Sequence, residues 1–150
     1  MKRTKAEQLP DQEAVLLDYV ERLKKFRTDR RAVHIHLSRL QPYNRREHHL
    51  RIAASNFDML VHSFEGASFR LFNDDLMVIC KGASVAKIDE YVLRLRFLFS
   101  DDPLLAGQEE EGAEFCSWFD VEQEYMALLT HANDLVEARA RFDSESAEIT

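Results

Sequence analysis

Two stretches of strand-forming residues, Phe69-Arg70-Leu71-Phe72 and Leu76-Met77-Val78-Ile79-Cys80, stand only three residues apart. The residues between them, Asn73-Asp74-Asp75, are turn chemistry, because Asn and Asp tolerate the positive φ of a tight reversal. A connection this short joins antiparallel neighbours, since parallel strands need a crossover of about a dozen residues. A hairpin near the middle of the chain is therefore the fixed point around which the rest must be arranged.

Periodicity supplies the flanking elements. Residues 1–10 are a polar lead, and Pro10-Asp11 opens a helical pattern of Leu16, Tyr19, Val20, Leu23 and Phe26 with Asp11 as N-cap. Ala32 to Leu37 alternates as a strand, with Val33, Ile35 and Leu37 on one face. Pro42 stops it. Asn44 and Glu47 have capping-box spacing, which predicts one long helix through Leu50, Ala53, Phe57, Leu60 and Phe64, ended by Gly66. After the hairpin, Ser84 caps a helix marked by Val85, Ile88, Val92, Leu95 and Phe99. Residues 100–114 read as an acidic loop holding Asp101, Asp102, Glu109, Glu110, Glu111 and Glu114. Phe115 to Phe119 reads as a strand with Phe115, Ser117 and Phe119 on one side. Asp120 and Gln123 make a cap-like pair before a last helix ending near Phe142, and residues 143–150 read as a mobile tail.

The order is helix, β-α-β-β-α-β, helix. This predicts an α+β fold with a ferredoxin-like core and additional N- and C-terminal helices, the antiparallel sheet carrying helices on one face and the terminal helices covering the other. The 150 residues fit one domain, and a 45% hydrophobic fraction is enough to build its core. No apolar run is long enough to span a membrane, and the basic start is not followed by the apolar region of a secretory signal. Cys80 and Cys116 lack metal-site spacing and read as two buried apolar thiols in a reducing cytoplasm.

Charge narrows the partners. The net charge of −7 argues against nucleic acid. The first 60 residues are nonetheless net +5 and the remainder net −12, with most of the positive charge between Arg22 and Arg51. That segment reads as a solvated, ion-paired surface, with phosphate attraction as the competing use. His34 and His36 lie on one face of a strand, while His48 and His49 diverge on a helix. Two histidines need a third convergent ligand to hold an ion, and the sequence identifies none, so no metal site is expected. Asp74 and Asp75 sit at the hairpin, where turn formation explains them and cation binding is the alternative.

Order and spacing together resemble a divergent GGDEF domain, the diguanylate cyclase family of bacterial cyclic di-GMP signalling, over residues 11–142. Arg70-Leu71-Phe72-Asn73-Asp74-Asp75-Leu76-Met77-Val78-Ile79-Cys80 is similar to the family's R-L-G-G-D-E-F-V-V-L-L hairpin. His36-Leu37-Ser38-Arg39-Leu40 resembles its D-x-D-x-F segment, and Asn44 falls where the family has an Asn. Leu128-Leu129, Ala132-Asn133 and Ala138-Arg139 resemble the closing L-L, A-D and A-K pattern, with a one-residue slip.

The departures follow from that resemblance. Phe72 and Asn73 replace the two glycines that let a triphosphate approach the backbone. His36 replaces the metal-binding Asp, and magnesium prefers oxygen. Asp75 shortens the Glu by one methylene. The G-H-x-x-G-D stretch and the R-x-x-D motif have no counterparts. The resemblance thus implies a vestigial nucleotide and metal site at His36, Ser38, Asn44, Phe72, Asn73, Asp74 and Asp75, with no catalytic residue and no cofactor. The expected function is an inactive regulatory or protein-interaction module in the cytoplasm, partnered by another protein or by a linked EAL-type phosphodiesterase domain. Weak GTP binding without turnover is the alternative. Phe97, Leu98 and Trp118 are the candidate exposed anchors for a partner, with burial in the core the commoner fate of each.

Overall fold

The computed structural model describes residues 11–106 and 114–149. The polar lead at 1–10 and the acidic residues Glu109, Glu110 and Glu111 lie outside the described residues. The elements run α1 (Gln12–Arg22), β1 (Arg30–Ile35), α2 (Glu47–Ser55), α3 (Asp58–Ser63), β2 (Ala67–Arg70), β3 (Leu76–Lys81), α4 (Val85–Leu98), a single turn α5 (Pro103–Ala106), β4 (Cys116–Asp120) and α6 (Tyr125–Ile149). The four strands form one sheet in the order β2-β3-β1-β4, every neighbouring pair antiparallel. The fold is α+β, and no helix among the described residues is long and apolar enough to cross a membrane.

Both faces of the sheet are covered, which is why its central strands are buried on both sides. In β1, Val33 and Ile35 point to one face and Ala32 and His34 to the other; in β3, Leu76, Val78 and Cys80 oppose Met77 and Ile79. Leu50 and Ala53 of α2, Phe57 between α2 and α3, Leu60 of α3, and Ile88, Val92 and Leu95 of α4 cover the first face. Leu16 and Val20 of α1, with Tyr125, Leu128 and Ala132 of α6, cover the second. The Tyr125 hydroxyl donates to the Val20 carbonyl at 2.9 Å and joins the start of α6 to the end of α1.

The expected caps hold at two helices. Asp11 accepts from the Ala14 amide at 3.1 Å, and Ser84 accepts from the Lys87 amide at 3.0 Å. Asp120, expected to pair with Gln123 ahead of the last helix, ends β4 and closes the turn before α6 instead: its carboxylate accepts from the amides of Glu122 and Gln123, and its own amide donates to Glu124. The positive φ of the hairpin falls on Asp74, at 78°.

Several expectations are corrected. The one long helix expected after Asn44 is two helices, α2 and α3. The Asn56 side chain donates to the Tyr91 carbonyl of α4 at 2.9 Å, and the Phe57 amide bonds back three residues to Ala54, so the coil tightens and restarts while the Phe57 ring is fully buried. Asn44 does not cap α2, whose N-cap is Arg46; it closes a short 3-10 turn and turns its amide to Asp101 and Asp102. Phe115 precedes β4 and packs with the first-face core rather than with Ser117 and Phe119. Cys116 is half-buried, whereas Cys80 is buried and its thiol is pushed up to about 11 by burial. Residues 143–149 continue α6 instead of forming a tail; Asp143 pairs with the Arg139 guanidinium one turn earlier, at 3.1 Å.

Gly66 follows α3, but the left-handed residue there is Glu65, with φ of 44°. Gly66 is required for close approach: a Cβ at that position would lie 2.5 Å from the Ile79 carbonyl oxygen of β3. Gly66→Ala should therefore lower stability by about 1–3 kcal/mol through forced displacement of the backbone. Urea unfolding of the two proteins measures this, and equal midpoints would show that the strand yields freely.

Candidate functional site

Beyond Ile35 and Leu76, the last pair in the β1–β3 register, the next positions are His36 and Asp75. His34 shares the face of His36 because strand side chains repeat every two residues. β4 places Ser117 opposite His34, α6 lays His131 over the same face, and the turn after β1 supplies the Ser38 amide. Asp75 is held at the centre of this group.

The Asp75 residue is 2% exposed. Its Oδ2 lies 2.8 Å from His34 Nε2, 3.2 Å from Asn73 Nδ2 and 3.6 Å from His36 Nδ1, while Oδ1 accepts from the Ser38 amide at 2.7 Å. His34 Nδ1 is 2.8 Å from His131 Nε2, and His36 Nε2 is 2.7 Å from the Ser117 hydroxyl. The His34 and His36 rings stack with centroids 4.2 Å apart. With Asp75 ionised and the imidazoles of His34 and His131 neutral, one arrangement satisfies the chain: His131 Nε2–H donates to His34 Nδ1, and His34 Nε2–H donates to Asp75.

The electrostatics follow from burial against pairing. Burial would raise the Asp75 carboxyl, but the hydrogen bond from His34, the His36 imidazole beside it and the Ser38 amide outweigh it and hold the group well below the usual carboxylate range. Burial lowers His34 against the pull of Asp75. Burial, reinforced by His34 and His36, pushes His131 down from 6.5 to about 4.

The remaining sequence-derived site residues behave differently. Asn73 is part of the cluster, its own Oδ1 accepting from the Asp75 amide at 3.2 Å. Asp74 points outward to Arg45 at 3.5 Å and Arg70 at 3.7 Å. Phe72 lies against Phe142, with centroids 5.1 Å apart, and its amide donates to Glu13 Oε2 at 2.7 Å. The other Glu13 oxygen meets Arg139 at 3.1 Å, and the Glu13 residue is fully buried. Asn44 belongs to a separate node around Asp102, which also accepts from the Gln41 and Leu104 amides. Within the basic segment, Arg22, Arg31, Arg39 and Arg45 are each ion-paired, to Asp18, Asp29, Glu114 and Asp74.

Sequence reasoning did not single out His131, Ser117 or Glu13. A signal existed for two of them. Glu13 precedes Leu16 by three residues and Val20 by seven, and His131 follows Leu128 by three, so each polar group interrupts an apolar helical stripe.

Comparison with protein-family models, with curated proteins and with solved structures returns no match in any of the three.

The histidines give the fold an acid-sensitive element. A histidine held below 6.5 in the folded state favours folding above that value, and the contribution is lost as pH falls from 6.5 toward about 4 for His131. Asp75 acts lower, because its stabilisation is present above the ordinary carboxylate value. The urea midpoint should therefore fall between pH 7 and pH 4, and His131→Gln should flatten that slope. An unchanged slope would place the dependence elsewhere.

Proposed function

We propose that the chain is a catalytically inactive GGDEF-like domain that acts as a regulatory or protein-interaction module in cyclic di-GMP signalling. Its element order and the antiparallel strand order β2-β3-β1-β4 accord with a ferredoxin-like β-α-β-β-α-β core between two terminal helices. The adjacency of His36 and Asp75, at positions resembling the family's metal-binding Asp and the Glu of its hairpin, supports the same alignment.

One observation carries the loss of activity: the groups a nucleotide would need are engaged by the protein itself. Asp75 accepts from Ser38, Asn73 and His34. The Phe72 amide, on the hairpin where phosphate would approach, already donates to the Glu13 carboxylate. An incoming triphosphate would meet that buried carboxylate and the Phe72 ring. Magnesium would find two imidazoles and one carboxylate where it prefers oxygen.

The interaction role rests on the outer surface of α4. Leu93 and Phe97 lie one turn apart there, beside Leu98, and Phe97 is 73% exposed. An exposed aromatic residue with aliphatic neighbours is the kind of anchor that carries protein association. Trp118, a candidate exposed anchor, is instead partly buried against the first-face core. The partner in this reading is another protein or a linked EAL-type domain.

Isothermal titration with GTP and magnesium, together with chromatography of the mixture, tests the reading. No binding heat and no cyclic di-GMP are expected. Micromolar binding that disappears in Asp75→Ala would establish a GTP-binding regulator instead, and turnover would overturn both.

A further inference from the structure

The hairpin cluster has a second property that hydrogen bonding alone does not require. Each of three side chains turns one donor atom inward and has its opposite atom held from behind. His34 Nε2, His36 Nδ1 and Asp75 Oδ2 face one another, and ligand atoms of these three residues all lie within 4.8 Å of one another. Behind them, His34 Nδ1 contacts His131 Nε2 at 2.8 Å, His36 Nε2 contacts the Ser117 hydroxyl at 2.7 Å, and Asp75 Oδ1 accepts from the Ser38 amide at 2.7 Å. Metal-ligating histidines and carboxylates are oriented in this way by outer hydrogen bonds.

We propose that His34, His36 and Asp75 form a three-ligand site for a divalent transition metal of the zinc class, with an open fourth position, and that His131, Ser117 and the Ser38 amide orient the ligands. The inference stands on these contacts and does not depend on the family resemblance.

The donor set decides the ion. Two imidazole nitrogens and one carboxylate oxygen suit zinc, cobalt or iron(II) and not magnesium or calcium, which take oxygen. The spacing is close to what coordination needs. Tetrahedral bonds of ordinary zinc length set neighbouring ligand atoms about 3.3–3.4 Å apart. The His36–Asp75 separation of 3.6 Å is near that figure, while the His34–Asp75 separation of 2.8 Å must widen by about half an ångström. The stacked rings, now 20° from parallel, must also fan so that both lone pairs meet one centre.

Protons balance in the exchange. His34 must present an unprotonated Nε2 to the ion, so its remaining proton sits on Nδ1 and donates to His131 Nε2. His131 correspondingly carries its own proton on Nδ1. The His34–His131 contact thus serves both states, with the direction of donation reversed.

The test uses the full chain after chelator treatment and adds cobalt(II) alone, then zinc as competitor. One equivalent should bind with the visible absorption of a low-symmetry N/O site and be displaced by zinc. His36→Gln and Asp75→Asn should each weaken binding by at least about tenfold, and His131→Gln by about 10–100-fold as the loss of an orienting partner. His48→Gln should leave binding unchanged. Circular dichroism checks that each variant folds. If Asp75→Asn does not, zinc titration of the unaltered protein followed by imidazole proton resonances still decides, because only the His34, His36 and His131 signals should shift together. No binding, weak binding at several sites, thiolate charge-transfer bands from Cys80 or Cys116, or equal affinity in His36→Gln would each overturn the site. GTP turnover would sink the inactive-domain reading without affecting this result, and absence of metal would leave that reading intact.

Discussion

A carboxylate whose side chain is 3% exposed has lost nearly all of its hydration, and the structure around Asp75 replaces it group by group. Taking such a charge out of water costs several kcal/mol, and the cost is offset only when its oxygens find donors in good geometry. Asp75 finds them in three separate segments: its own turn through Asn73, the turn after β1 through Ser38, and β1 itself through His34. The interaction therefore also defines where the hairpin meets the central strand. Any arrangement that shifted β3 by one residue would send Asp75 to the opposite face and leave the charge unpaired.

The same constraint explains why polar groups occupy otherwise apolar stripes. The second face of the sheet is covered by α1 and α6, and each helix brings one polar residue over the hairpin end, the buried Glu13 and the half-buried His131. Glu13 accepts from the Phe72 amide, and His131 closes the chain to His34. The turn is thus held by anionic acceptors and imidazoles belonging to the protein. This is a chemistry suited to fixing a loop or holding a nitrogen-liganded cation, and poorly suited to receiving a phosphate chain.

Much of the local structure was legible because it depends on neighbours in sequence. The caps at Asp11 and Ser84, the hairpin itself and the alternation of β1 and β3 each follow from a few adjacent residues, although β2 stops at Arg70 and the reversal includes Leu71 and Phe72, which read as strand. The errors occurred where distant groups competed. Asn44 has a good cap spacing but finds Asp102, 58 residues away, and leaves α2 uncapped by a side chain. The apolar period from Leu50 to Phe64 continues through a break because Asn56 bonds to α4. The polar composition of residues 143–149 resembles a tail, yet the Arg139–Asp143 pair continues the helix.

The candidate site divides in the same way. The sequence alone determined that His34 and His36 share a face and that two acids sit in a hairpin turn, since both depend only on backbone period and turn chemistry. The tertiary structure decided that Asp75 and not Asp74 joins the histidines, and that His131 and Ser117 stand behind them. Those choices depend on strand register and on which face a helix covers, and partners 41, 81 and 97 residues apart leave no local trace of their meeting.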